Sequence, residues 1–343
     1  MENSAMKIYN GYEIAVLVAI VFLGSFMENS ATTTGTNTTG TNTTDVSTAI
    51  LISVDQSGNG DFKKIQDAID AVPSKNSEFY FISIKPGTYR EKLQVPADKP
   101  FITLSGTLAS NNTIITWGDT GEIIQSATLS VFASDFVARY LTVQNTFGTS
   151  GRAVALRVEG DTAAFYNCNI LSYQDTLLDD TGRHYYSNCY IEGATDFICG
   201  NAASLFEKCH LHSLSTVGGA ITAQHRNSSS EDTGYTFLNC KITGVGTALL
   251  GRPWGPYSRV VFALTYMFSV VVPQGWDDWG DPSKQRCYGP GANRTKRVGW
   301  SKSLSNEEAT PFLTKDIIGG QGWLRPSPTH FKRGSTNVTV NVP

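Results

Sequence analysis

The chain has 343 residues, 40% hydrophobic and 17% charged, a globular composition with enough apolar surface for a large core. Its formal net charge of −3 argues against nucleic acid as a partner, because phosphate binding needs concentrated positive charge. The local basic cluster Lys284, Arg286, Arg294, Lys296 and Arg297 reads as a solvated loop.

In chain order, Lys7 precedes the apolar run "IAVLVAIVFLGSF" at residues 14–26. This run is short for a bilayer span and fits a secretory signal. Residues 1–27 are expected to be a signal peptide, with a retained anchor as the alternative. Residues 28–48 are Thr- and Asn-rich, cannot bury a core, and are expected to be a spacer. Sequons at Asn37, Asn42, Asn111, Asn227, Asn293 and Asn337 agree with a secreted glycoprotein. Next, "DFKKIQDAIDAVP" (61–73) spaces Phe62, Ile65, Ala68, Ile69 and Val72 as one face of a helix. Asp61 is expected to cap its start and Pro73 to mark its end. Beyond Pro73 the chain reads mostly as short strands divided by Gly, Asn and Asp.

A repeat then emerges in "AFYNCNI" (164–170), "YYSNCYI" (185–191), "LFEKCHL" (205–211) and "TFLNCKI" (236–242). Aromatic residues precede x-Cys-x-aliphatic each time, closing on Ile170, Ile191, Leu211 and Ile242, with Leu141 of "FVARYL" in a similar slot. One strand per step is the pattern of a solenoid, and strand-rich coils of this length predict a parallel β-helix. The expected architecture is all-β, a right-handed parallel β-helix over residues 49–330 with a short N-terminal helix and a tail over 331–343. A β-sandwich, the alternative, leaves the recurring cysteine unexplained.

The register has a chemical consequence. Asp175 lies five residues after Ile170, and Asp196 five residues after Ile191. The two aspartates should therefore stack on adjacent coils, about 4.8 Å apart. Stacked carboxylates repel, so one should hold its proton while the other stays ionised, giving an acid and a nucleophile or base together. The plainer alternative is a pair of turn aspartates. The same register stacks Cys168, Cys189 and Cys209, as a ladder of buried thiols in preference to disulfides. Neither a CxxC nor a paired-His motif points to a metal, and no cofactor is called for.

The stretches "YQDTLLDD" (173–180), "GATDFICG" (193–200) and "LGRPWG" (250–255) resemble the signature motifs of plant pectinesterases, or pectin methylesterases. "GTYREKL" (87–93) and "GRAVALRV" (151–158) resemble two more, all in family order, so the resemblance covers about residues 49–325. It implies a pectin lyase-like β-helix that hydrolyses methyl esters of polygalacturonate in the cell wall, without a cofactor, as a monomer, with a proteinaceous inhibitor as a possible partner. It also implies that Asp196 is the nucleophile, Asp175 the acid and base, Gln174 an oxyanion donor and Arg252 the partner of Asp196. Trp254, Arg152 and Phe197 are implied to face the substrate. Tyr89 and Glu91 read as structural, and the five histidines show no constellation.

The chain departs from the family pattern in three places. Arg152 stands where members usually carry an oxyanion-hole Gln, and it can pair with an active-site aspartate instead. Cys199 stands for the second Phe of Asp-Phe-Ile-Phe-Gly, which would leave a cavity there unless neighbours fill it. Residues 280–292 look short. Two other function classes therefore stay open: a pectin-cleaving glycosidase or lyase using Asp179 and Asp180, and a pectin-binding protein without catalysis.

Overall fold

Each x-Cys-x-aliphatic repeat forms one corner of a coil. Val143, Ile170, Ile191, Leu211 and Ile242 are successive partners across parallel strands, all buried. The fit differs from the expected register at one place. Val143, not Leu141, pairs with Ile170, and Leu141 instead heads the cysteine column, its carbonyl accepting the N–H of Asn169 at 2.8 Å. Just before each column position the backbone turns through the left-handed region, at Tyr140, Asn167, Asn188, Lys208, Asn239 and Leu264, with φ between 50° and 56°. Asn tolerates this region better than most residues, which explains the Asn of "YNC", "SNC" and "LNC".

The computed structural model describes residues 48–107, 109–281 and 296–333. The expected signal peptide, the spacer before Thr48, Cys287, four of the sequons, residues 282–292 and the tail beyond Arg333 lie outside the described residues. The remaining sequons, Asn111 and Asn227, are both exposed.

Among the described residues the strands form three parallel sheets of ten, eight and seven strands, in which successive coils contribute every third strand. This is the right-handed parallel β-helix expected, since crossovers between parallel strands take that hand. Its interior holds a column of stacked rings, Phe165, Tyr186, Phe206, Phe237 and Phe262, at centroid spacings of 4.5–4.9 Å. Cys168, Cys189, Cys209 and Cys240 form the neighbouring column as buried free thiols. Each sits within 3.2–3.5 Å of a backbone carbonyl oxygen.

The helix is shorter than its periodicity suggests, spanning Ile65–Asp70. It buries Ile65, Ala68 and Ile69 in the same core as Ile52, Val54, Ile82 and Ile84, covering the first coil. Asp61 does not cap it. The Asp61 carboxylate accepts from the N–H and hydroxyl of Ser53, both at 2.7 Å, because Phe62 is still bridged to Val54. The cap comes from Glu91, whose two oxygens accept the N–H groups of Ile65 and Gln66 at 3.0 and 3.1 Å. Tyr89 is structural too, fully buried with its hydroxyl donating to the Lys85 carbonyl.

The expected tail begins too early. His330–Arg333 form a strand that pairs with the start of Thr48–Val54 and ends the ten-stranded sheet. Arg297 of the basic cluster is not simply solvated, since its guanidinium donates to the carbonyls of Val272 and Pro273.

Candidate active site

Gln174 bridges to Thr195, so Asp175 and Asp196 take the same slot on adjacent coils of the seven-stranded sheet. Both are left-handed, with φ of 58° and 48°. A short polar side chain tolerates that conformation, which is why an aspartate can head an apolar run here. After the turn, Leu177 and Ile198 point into the coil while Leu178 and Cys199 face the opposite side of the sheet. The glycines of "GATDFICG" are required by space. A Cβ on Gly193 would lie 2.3 Å from the Phe197 Cβ, and one on Gly200 2.2 Å from the Asp179 carbonyl oxygen.

Asp196 is 7% exposed and Asp175 5%. Two coils beyond Asp196, Arg252 donates from Nε at 2.8 Å and from Nη2 at 2.5 Å to its two carboxylate oxygens. This bidentate fork fixes the carboxylate's orientation. Asp175 has no such fork. The Arg152 Nε stands 3.7 Å from its Oδ2, an ion pair without a hydrogen bond. Burial and then the Asp196 charge push the Asp175 carboxyl up to about 7, against the cations Arg152 and Arg252. Burial also raises Asp196 above its usual value, and the Arg252 hydrogen bonds and charge oppose that rise. Asp175 thus has its carboxyl raised to about 7; the register called for one such member of the pair without saying which. The expectation that Asp196 would stay low is corrected in part, because burial outweighs Arg252.

Above the pair lies a cavity of about 200 Å³. Arg152, Gln174, Arg252 and Trp254 line it beside the aspartates. Trp254 lies flat against His225, centroids 4.1 Å apart. Phe197 does not reach the cavity. It is fully buried inside the coil, because the left-handed turn at Asp196 sends it inward just before the strand begins, so its expected substrate contact is withdrawn. Cys199 takes the outward position instead, on the floor with Leu178 and Ala223 beneath Ile123 and Trp254. The small side chain thus lines the floor of this cavity.

Trp279 and His225 had no clear sequence signal. The Trp279 ring lies 4.4 Å from the Arg252 guanidinium carbon and lines the cavity opposite Trp254. Asp179 points away from the cavity. Its buried carboxylate lies 2.6 Å from His184 Nδ1 and accepts from the hydroxyls of Tyr186, at 2.7 Å, and Ser204. Asp180 pairs with Arg157 at 3.7 Å. A glycosidase acid–base pair built on Asp179 therefore has no route to a sugar.

A β-helix groove with two buried carboxylates, one forked by an arginine and one raised to about 7, beside an amide donor and aromatic walls suits the hydrolysis of a carboxylic ester. The pectinesterase family model matches residues 51–321, and the chain belongs to that family. It is 64% identical over 296 residues to putative pectinesterase 11 of Arabidopsis thaliana, covering 83% of this chain and 84% of the relative. Carrot pectin methylesterase superposes with a TM-score of 0.76 at 33% identity, over 84% of this chain and 97% of that one. A mutant pectin methylesterase in complex with a hexasaccharide superposes at 0.68 with 26% identity, over 81% and 98%.

Proposed function

We propose that this chain hydrolyses the methyl esters of pectin at the Asp175–Asp196 pair, as a secreted, monomeric enzyme of the cell wall. The observation that carries this reading is the asymmetry of the pair. Two equivalent slots hold one carboxylate forked by Arg252 and one, raised to about 7, without a fork.

In this reading an Asp196 oxygen attacks the ester carbonyl carbon. The Gln174 amide, which has no hydrogen-bond partner among the described residues, donates to the developing oxyanion. Asp175 passes its proton to the methoxy oxygen and methanol leaves, with Asp196 held as an acyl anhydride. The Asp175 carboxylate then takes a proton from water, the resulting hydroxide attacks the acyl carbon, and Asp196 is released as its carboxylate beside a uronic acid, which gives its proton to solvent. Trp254 offers an aromatic face to a sugar ring.

The experiment is methanol release from highly methylated pectin by the wild type, Asp196→Ala and Asp175→Asn. Release by the wild type and loss in both variants, with pectin chain length unchanged, is expected. Pectin binding without methanol release by the wild type would make the chain a binding protein.

A further inference from the structure

The groove brings a negatively charged polymer onto two aspartates. Every turnover adds a uronate carboxylate to that polymer, and a carboxylate beside Asp175 and Asp196 is repelled unless a cation receives it. Two cations line the cavity among the described residues, Arg152 and Arg252. The Arg252 fork is occupied by Asp196. Arg152 is different in every respect that matters for an incoming anion. Its side chain is 60% exposed, its Nε stands 3.7 Å from Asp175, and its guanidinium donates no hydrogen bond to a described residue. Its backbone is nevertheless fixed. The Arg152 carbonyl accepts the Thr120 hydroxyl at 2.8 Å, and the next residue, Ala153, donates to the Gln174 carbonyl at 3.1 Å. An exposed cationic head thus hangs from a hydrogen-bonded backbone at the groove rim.

We propose that Arg152 is a specificity residue that receives a free uronate carboxylate on a sugar neighbouring the scissile ester, leaving Asp175 to do so. The planar fork of an arginine suits a carboxylate bidentately. The exchange has a chemical consequence. The groups facing Asp175 are Asp196, Arg152, Arg252 and the protonated thiol of Cys199. Drawing Arg152 onto the substrate removes one of the two cations that oppose the proton on Asp175. Asp175 then holds its proton more firmly, in the form that donates to the leaving methanol. Substrate chains already carrying a free carboxylate are therefore bound and primed together.

The inference rests on the assignment of Asp175 and Asp196 above, and its test separates from that one. Methyl release is followed on galacturonate oligomers of equal length, one set fully methylated and one partly de-esterified, with the wild type, Arg152→Gln and Arg152→Lys. The wild type should favour the partly de-esterified set by about tenfold in kcat/KM, the size of one charge-assisted hydrogen bond. Arg152→Gln should lose that preference through a KM rise of about tenfold on the de-esterified set, well beyond any change in KM on the fully methylated set. Its alkaline limb on fully methylated oligomers should move to higher pH, because Asp175 loses a cation. Arg152→Lys, which keeps the charge, should keep part of the preference and hold the limb in place. An equal change in kcat on both sets, with the preference for free carboxylates kept in both variants, would overturn the proposal; if kcat then holds or rises in Arg152→Gln and falls in Arg152→Lys, the position is an oxyanion-hole one. If methanol release proves independent of Asp196, the site assignment fails instead.

Discussion

Asp175→Asn should abolish methanol release and make the fold more stable. Its carboxyl sits 5% exposed, with its value raised from an ordinary 3.8 to about 7 by burial and by Asp196. A raised carboxyl means that the folded chain binds the proton more tightly than the unfolded one, so ionisation at neutral pH opposes folding. The shift of about 3 units, at 1.36 kcal/mol each, makes that penalty about 4 kcal/mol at pH 7–8. As pH falls through 7 toward 4, Asp175 takes up its proton in the folded state and the penalty shrinks to less than about 1 kcal/mol. Asparagine is nearly isosteric and never ionises. The variant should therefore gain roughly 3–4 kcal/mol over the wild type at pH 8 and almost nothing at pH 4. Urea denaturation of both proteins at a series of pH values measures this directly, with the m-values checked for equality. A gain independent of pH, or a loss at pH 8, would refute the argument that Asp175 is a buried, proton-holding carboxyl.

Two further outcomes rest on the same geometry. Arg252→Lys replaces a bidentate fork by a point charge and loses one of the two charge-assisted bonds to Asp196, so kcat/KM should fall about 10–100-fold. The acid limb of the pH profile should also move to higher pH, since Asp196 must be ionised to attack and its carboxylate is now less supported; an unmoved limb would argue that Arg252 merely packs. Asp179→Asn should cost about 2–4 kcal/mol in urea denaturation, because His184, Tyr186 and Ser204 converge on that buried carboxylate. Methanol release per folded molecule should stay near wild type, and a large fall in kcat would instead draw Asp179 into the chemistry.

The solenoid was legible because its period is written in chemistry that stacking requires. Aromatic and aliphatic residues recur wherever a coil points inward, and the cysteine column needs a small apolar side chain at a tight corner. The aspartate pair was legible for the same reason, as equal offsets from Ile170 and Ile191 become one slot once those residues pair. Phe197 was misplaced because a motif shows which residues travel together but not which way each points; the left-handed turn at Asp196 sends the next side chain inward. The cap on the helix was missed because Glu91 lies 26 residues from the N–H it accepts, beyond any local capping pattern. Trp279 escaped notice for a related reason. It joins the site through a long return of chain, and neither periodicity nor spacing links it to Arg252.

The division of labour between the two aspartates does not arise from the coil that carries them. Their backbone conformations match, their strands are neighbours in register, and both are nearly buried. The difference lies in which other coils reach them. Asp196 meets a guanidinium from two coils further on, in a geometry that engages both oxygens. Asp175 meets one from the coil before, through a single atom at 3.7 Å. A stack of near-identical coils thus makes two unlike groups by surrounding one slot differently at successive levels. On that view the aspartates fix where the reaction occurs, and the arginines decide which aspartate does what. Arg152, where the family resemblance implies a glutamine, therefore alters more than one hydrogen bond. It places an exposed charge beside the one carboxyl whose proton the proposed reaction has to spend.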